Sequence, residues 1–302
     1  MNSIRISFEG SFGHELAARL DAPAVAVRGY ALLAHCFTCS KDAIGARLIA
    51  EKLASRGIGV LRFDFTGLGS SEGEFENTNF SSNIEDLVRA ADYLREHFAA
   101  PALLIGHSLG GAAVLAAASR VPEAKAVVTI SAPSDVAHVL QHLNAGLDEI
   151  EHHGKAEVTL AGRPFTITKQ FVDDAKGQAL QAQIAGLRKA LLVMHAPTDQ
   201  IVGIEHATAI FGAAKHPKSF VSLDDADHLL LRRRDAAYVA EVIAAWASRY
   251  LPAEAERSDN ASDDIVVSET GAGKFQNAVS VGSSSRRRAG VGWRPRQRTK
   301  PL

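Results

Sequence analysis

The sequence predicts an α/β fold, a mostly parallel, doubly wound sheet carrying one inserted segment. Three observations predict it. Apolar runs of strand length alternate with helical patterns along most of the 302 residues. Several runs are apolar without a break, as strands covered on both faces must be. One stretch, residues 134–188, interrupts the alternation directly after a core strand, as an inserted cap does.

Taken in order, Ile4–Phe8 and Glu15–Leu20 predict an antiparallel start to the sheet. The core strands are predicted at Ala31–Phe37, Gly59–Phe65, Pro101–Gly106, Ala126–Ile130, Ala190–Met194 and Phe220–Leu223. Between them, Ile84, Leu87, Val88, Ala91, Leu94 and Phe98 recur at helical spacing, and Ser82 with Glu85 three residues later predicts a capping box. Asp42–Arg56, Leu109–Arg120 and Ala236–Tyr250 read as further helices. Inside the insertion, Glu157–Leu160 and Arg163–Lys169 flank Ala161-Gly162, which predicts a hairpin with a glycine turn. This gives a first domain over residues 1–251, with the cap at 134–188 and a linker of few large apolar residues at 252–264.

Composition excludes other classes. With 46% apolar residues, 22% charged, 24 Gly and 10 Pro, the chain is not disordered throughout, collagenous or a coiled coil. The formal charge of −1 averages two unlike regions: residues 1–270 carry −9 and residues 271–302 carry +8. An electrostatic argument for nucleic acid could therefore rest only on the tail, which has no aromatic interleaving apart from Trp293 and Phe275. No apolar run approaches a membrane span, and Met1–Ser11 has no signal-peptide pattern. Two cysteines, Cys36 and Cys39, make no secreted disulfide framework. The expectation is a cytoplasmic protein with reduced thiols. The oligomeric state is left open.

Gly106-His107-Ser108-Leu109-Gly110 matches G-x-S-x-G, with a strand before it and an Ala-rich helix after it. Such a turn is tight enough to need small flanking residues, lifts the serine oxygen above the sheet, and aims the next amide, that of Leu109, at the same point from a helix N-terminus. A second match, Gly69-Ser70-Ser71-Glu72-Gly73, runs into a polar stretch and lacks the helix. Context selects Ser108. A serine needs a base, and the base an acid that fixes its tautomer. Asp199 follows the strand at 190–194, and His228 follows the strand at 220–223. Asp227 is adjacent to His228, so its side chain should diverge and serve the loop. Of the other histidines, His107 sits inside the elbow, His195 closes a strand, and His14, His97, His206 and His216 read as surface positions.

On these residues the chain resembles the α/β-hydrolase superfamily, in the branch of serine aminopeptidases and related esterases, over roughly 7–251. Asp64-Phe65-Thr66-Gly67-Leu68-Gly69 is similar to that family's structural Asp-x-x-Gly-x-Gly turn. The resemblance implies that His35-Cys36 occupies the place of a His-Gly pair, and that the amide of Phe37 is the second oxyanion donor. Cys36 stands where that pair has glycine, so the loop must reach its geometry without a glycine's freedom. The segments Ala34–Asp42, Asn77–Ser82 and Glu269–Phe275 further resemble bacterial proteins that join such a hydrolase to an OsmC-type thiol peroxidase domain. On that likeness residues 265–302 are the stub of such a domain running into a basic tail, with 282–302 (six Arg, one Lys, no acid) as a truncated or frame-shifted remnant.

The expected function is a serine hydrolase of a small acyl substrate, a carboxylic ester first, requiring no cofactor. An aminopeptidase is the alternative, with Asp148, Glu149 or Glu151 holding the free amine. A non-catalytic or thiol-redox accessory module is a third, suggested by Cys36-x-x-Cys39 and opposed by the intact Ser, Asp, His order. His138 and His142 are four apart on the cap near His152 and His153, but Val139 replaces the glutamate of H-E-x-x-H, so a solvated face is expected rather than a metal site.

Overall fold

A computed structural model describes residues 2–24, 26–143, 146–160, 162–252, 265–269 and 277–281, with only the backbone given for 142 and for the last two segments. It divides into two units, 1–255 and 256–302.

In the first unit, strands β1 (Asn2–Glu9), β2 (Glu15–Ala22), β3 (Gly29–Ala34), β4 (Ile58–Phe63), β5 (Pro101–His107), β6 (Ala126–Ile130), β9 (Ala190–His195) and β10 (Lys218–Ser222) form one sheet, in the order β1-β2-β4-β3-β5-β6-β9-β10. β1 and β2 pair antiparallel, β2 meets β4 antiparallel, and every later pairing is parallel. The middle strands are apolar on both faces because both faces are covered. Leu32, Ala34 and Leu104 join a core beneath α2 (Phe80–His97), α3 (Leu109–Ala117) and α7 (Ile204–Ala213); Ala31, Leu33 and Ile105 join a second core beneath α1 (Ile44–Ser55) and α8 (Arg233–Ala247). The order of strands reverses around β3 and β5, so the crevice at their carboxyl ends is where a doubly wound sheet places its ligand.

The insertion between β6 and β9 holds a 3₁₀ stretch (Val136–Leu143), α4 (Leu147–His153), the hairpin β7 (Lys155–Leu160) and β8 (Arg163–Thr168), α5 (Lys169–Gly177) and α6 (Leu180–Ala185). The expected glycine turn is present, with Gly162 at φ +76°.

Several expectations need correction. β3 stops at Ala34 and β4 at Phe63, short of Phe37 and Phe65, because each chain turns there, the Cys39 amide bonding to the Cys36 carbonyl and the Leu68 amide to the Phe65 carbonyl in place of ladder bonds. The capping box of α2 uses Asn79 and Ser82, not Ser82 and Glu85: Asn79 Oδ1 accepts from the Ser82 amide at 2.8 Å, and Ser82 Oγ accepts from the Asn79 amide at 3.0 Å. Helix α7 is an element the periodicity did not mark. No helix among the described residues is long and apolar enough to cross a membrane.

In the second unit, β11 (Ile265–Glu269) and β12 (Asn277–Val281) pair antiparallel. Of the segment Glu269–Phe275, only Glu269, the last residue of β11, lies within the described residues. Residues 270–276, the linker from 253 to 264 and the basic tail 282–302 lie outside the described residues.

Candidate active site

Ser108 ends the turn from β5 into α3 with φ 55° and ψ −125°, a backbone state that a side chain tolerates only under constraint. The constraint comes from close packing. A Cβ on Gly106 would lie 2.2 Å from the Gly110 carbonyl oxygen, and one on Gly110 would lie 2.4 Å from that of His35. Small residues thus let α3 press against both its own strand and the loop after β3. The Ser108 amide donates to the Ile130 carbonyl at 2.8 Å, tying the elbow to β6.

Asp199 and His228 reach this serine from the ends of β9 and β10. His228 Nδ1 lies 2.8 Å from Asp199 Oδ2, and its Nε2 lies 3.0 Å from Ser108 Oγ. A carboxylate only accepts, so Nδ1 carries the proton given to Asp199 and Nε2 is the acceptor for the serine hydroxyl. The other oxygen of Asp199 accepts from the amides of Ile201 (2.9 Å) and Val202 (3.0 Å). Burial opposes ionisation of Asp199, but the His228 bond and charge, with those two amides, outweigh it and hold the carboxyl at about 2.

Three supports surround these groups. His107 Nε2 donates to the His228 carbonyl at 2.6 Å. Burial first, then the charge of His228, lowers the His107 pKa to about 4. His195 Nε2 donates to the Val202 carbonyl at 2.7 Å, steadying the loop that bears Asp199. Asp227 diverges as expected and accepts from the amides of Leu229 and Leu231 at 3.1 Å.

The loop after β3 carries Phe37. No residue from His35 to Asp42 has a positive φ, so the turn is made without the conformation for which glycine is needed. His35 Nδ1 donates to the Cys36 carbonyl at 2.7 Å, and burial lowers the pKa of this histidine. The far end is clamped: the Lys41 amide and Nζ donate to Asp64 Oδ1 (2.6 Å) and Oδ2 (2.7 Å), and Arg62 Nη1 donates to the Lys41 carbonyl at 2.5 Å. Among the described residues, the amides of Phe37 and Leu109 donate to no protein acceptor. The Phe37 ring packs 5.4 Å from both Phe75 and Phe171, so an aromatic wall runs from this loop into the insertion.

The remaining sequence candidates sort as follows. Ser71 is structural, its Oγ donating to the Asp64 carbonyl at 2.6 Å and accepting from the Ala17 amide at 2.9 Å. Cys36 and Cys39 are not the expected thiols: they form a disulfide, with Cα atoms 5.2 Å apart. His206 is not a surface residue, because α7 turns it inward to Ser134 Oγ at 3.0 Å and to His138 Nδ1 at 3.1 Å. His138 is partly buried in that contact, whereas His152 and His153 are exposed, as a solvated face requires, and the described residues hold no cluster of three metal-ligating side chains. The side chain of His142 lies outside the described residues. Asp148 and Glu149 are exposed, and Glu151 pairs with Lys176 at 3.2 Å and Lys169 at 3.3 Å. The supporting roles of His107 and Lys41 are not legible in the sequence; the one signal for His107 is the G-x-S-x-G motif that contains it, and Lys41 has none.

Residues 31–242 match the model of the alpha/beta hydrolase family. The esterase domain of a Rhodothermus marinus protein is 51% identical, with a TM-score of 0.68 over 83% of this chain and 99% of that one. A monoacylglycerol lipase of Mycolicibacterium smegmatis is 25% identical, the match spanning 66% of this chain and 80% of the lipase. The mitochondrial palmitoyl-protein thioesterase ABHD10 of Mus musculus is 26% identical, over 66% of this chain and 68% of its own. With that family model covering the elbow and the loops that bear Phe37, Asp199 and His228, the chain belongs to the alpha/beta hydrolase family as an esterase-like enzyme.

Proposed function

We propose that the protein is a serine hydrolase that cleaves small carboxylic esters by two-step acyl transfer at Ser108. The observation that carries this reading is the position of His228, bonded to Asp199 on one ring nitrogen and to Ser108 on the other. In the first step His228 Nε2 takes the proton of Ser108 Oγ while the oxygen attacks the ester carbonyl. Negative charge gathers on the carbonyl oxygen, and the unpaired amides of Phe37 and Leu109 are the donors that would hold it. His228 returns the proton to the departing alcohol, and a water activated in the same way releases the acid.

Support for an apolar ester comes from the aromatic wall. Phe37, Phe75, Phe165 and Phe171 pack ring against ring from the loop that carries the candidate donor into the insertion, an apolar surface that suits an apolar acyl group. In this reading residues 134–188 are the cap that shapes the acyl site. The peptidase alternative needs a carboxylate beside the serine for the free amine: Glu151 is already shared by two lysines, and Asp148 and Glu149 are exposed and make no hydrogen bond or ion pair with Ser108, Asp199 or His228.

The test is active-site labelling and turnover. The wild type is expected to react with a fluorophosphonate probe and to hydrolyse 4-nitrophenyl acetate faster than aminoacyl 4-nitroanilides. Ser108→Ala is expected to lose both labelling and turnover with an unchanged circular dichroism spectrum; undiminished labelling of that variant would falsify the assignment.

A further inference from the structure

We infer that the Cys36–Cys39 disulfide is a positioning element for the oxyanion donor, so that the hydrolase works in its oxidised form and slows when a dithiol reduces it. The inference rests on the function proposed above, because it assigns a task to the loop that carries Phe37.

The covalent bond spans the turn that bears the candidate donor, where the side contacts are the Phe37 ring on Phe75 and Phe171 and the Thr38 carbonyl accepting from Arg163 Nη1 at 3.5 Å. Only Phe37 and Thr38 stand between the two half-cystines, and the amide of Phe37 is the candidate donor. Upstream the chain is fixed by the ladder of β3, which ends at Ala34. Downstream it is fixed at Lys41 by Asp64 and Arg62. Inside the Cys36–Cys39 turn there is one backbone bond, from the Cys39 amide to the Cys36 carbonyl at 3.1 Å. Among the described residues the amides of Phe37 and Thr38 have no protein acceptor. That is what an oxyanion donor requires, since an amide already bonded could not serve a developing charge. It also leaves the turn without the ladder bonds that order a strand.

A donor aimed at a transition state must be held in advance, because ordering it during the reaction cancels its benefit. The disulfide closes a short ring around that amide and removes the alternative turns the segment would otherwise sample. Cys36 is buried, while Cys39 is partly exposed. Cys39 also lines a small cavity together with His35, His107 and Leu229, the residue after His228.

Reduction follows ordinary thiol–disulfide exchange. A thiolate of a dithiol attacks one sulfur and the Cys36–Cys39 bond breaks. The second reagent thiolate then attacks the mixed disulfide. Two electrons and two protons pass to the protein as two thiols, and the reagent leaves as its cyclic disulfide.

The experiment uses the full chain in three forms: as oxidised protein, after dithiothreitol treatment and desalting, and as Cys36→Ser/Cys39→Ser. Thiols are counted in denaturant, and hydrolysis of 4-nitrophenyl acetate is followed in each. Loss of one oxyanion donor costs about 10²–10³-fold in kcat, which bounds the effect of loosening one. The expected result is a fall of at least about 10-fold in kcat on reduction, reversal on reoxidation, KM within about 2-fold, and a double variant that matches the reduced form and ignores reductant. Affinity for a trifluoromethyl ketone, which forms a tetrahedral oxyanion on the serine, is expected to fall by a similar factor, a change that loss of overall stability would not produce in a protein with an unaltered circular dichroism spectrum. Two new thiols with unchanged kcat would overturn the proposal, as would a fully active protein that already carries two free thiols. Failure of the serine assignment is read separately, from labelling of Ser108→Ala.

Discussion

His107 donates its Nε2 hydrogen to the carbonyl oxygen of His228 at 2.6 Å, so the residue just before the candidate nucleophile holds the backbone of the candidate base. The two rings lie 5.5 Å apart, and the bond joins the end of β5 to the loop after β10. Strand geometry makes the contact available, since neighbouring residues alternate in direction at the end of β5 and the elbow then redirects Ser108.

Burial holds His107 neutral down to about pH 4, whereas in the unfolded chain it titrates at about 6.5. Between these values the unfolded state binds one more proton, so stability falls as the pH is lowered from about 6.5 to 4, by no more than ~3 kcal/mol from this residue. His35, His195 and His206 are shifted the same way, each by burial first, and steepen the slope. Urea unfolding followed across this range is expected to show His107→Gln with a shallower pH dependence than the wild type. A parallel slope for the two proteins would count against the assignment. His107→Ala, which removes the donor altogether, is expected to lower kcat about 10-fold through a looser base, the usual worth of a hydrogen bond to a carbonyl.

Asp199→Asn keeps the shape of the acid but reverses its chemistry. An amide at that position can donate to His228 Nδ1, which moves the ring proton to Nε2 and leaves no acceptor for the serine hydroxyl. Turnover of 4-nitrophenyl acetate is expected to drop about 10⁴-fold while binding of substrate changes little. Because the carboxyl sits at about 2, its stabilising contribution is complete above the unfolded value of 3.8 and is lost progressively as the pH falls from there through about 2. Acid inactivation above pH 4 is therefore expected to be unchanged in slope by this substitution, which a pH profile of residual folded fraction would check.

Much of this arrangement was legible because it is local. Ser108 lies in a five-residue motif whose strand and helix are both apolar, and Asp199 and His228 each follow a strand by a few residues, where a parallel sheet must place its ligand groups. What escaped was set by distant packing. Lys41 and Asp64 are 23 residues apart, and nothing in the polar run around Lys41 signals that its amine is buried. His206 looks like any helix-surface histidine until the insertion brings His138 against it. The pairing of Cys36 with Cys39 needs a turn whose backbone no propensity specifies, and α7 is too rich in small residues to show a clear stripe. Strand ends were overrun at Phe37 and Phe65 because an apolar residue facing the site looks the same in sequence as one facing the core.

The glycines separate close approach from idle space. A Cβ on Gly110 would meet backbone at His35 (2.4 Å) and Ala34 (2.6 Å), and backbone cannot swing aside. Gly110→Ala is expected to push the Phe37 loop off α3, costing roughly 1–3 kcal/mol of stability and most of the activity. Gly212, inside α7, has nothing within 4 Å of such an atom. Gly212→Ala is expected to raise stability by about 0.5–1 kcal/mol through helix propensity, with turnover unchanged. Chemical denaturation of the pair, with activity measured alongside, checks both signs; a tolerated Gly110→Ala would show that the loop is not seated as described.

Asp64 is fully buried and accepts three bonds: from the Lys41 amide, from Lys41 Nζ and, at 2.9 Å, from the Ser70 amide. It thus joins two loops, the one carrying Phe37 and the glycine turn after β4, where a Cβ on Gly69 would sit 2.2 Å from its carboxylate. Removing the carboxylate leaves the buried ammonium with only the exposed Asp42, at 3.3 Å, and leaves two amides without an acceptor. Breaking a buried pair from one side costs about 3–5 kcal/mol, more than deleting both charges together. Asp64→Ala is therefore expected to unfold at much lower urea, and Lys41→Met to be milder, because the remaining carboxylate keeps its two amide donors. The double variant Asp64→Asn/Lys41→Met should recover part of the loss, since an amide oxygen can still accept from the backbone while no charge is left unpaired. Equal stability of Asp64→Ala and the wild type would mean that the loop bearing Phe37 is held elsewhere.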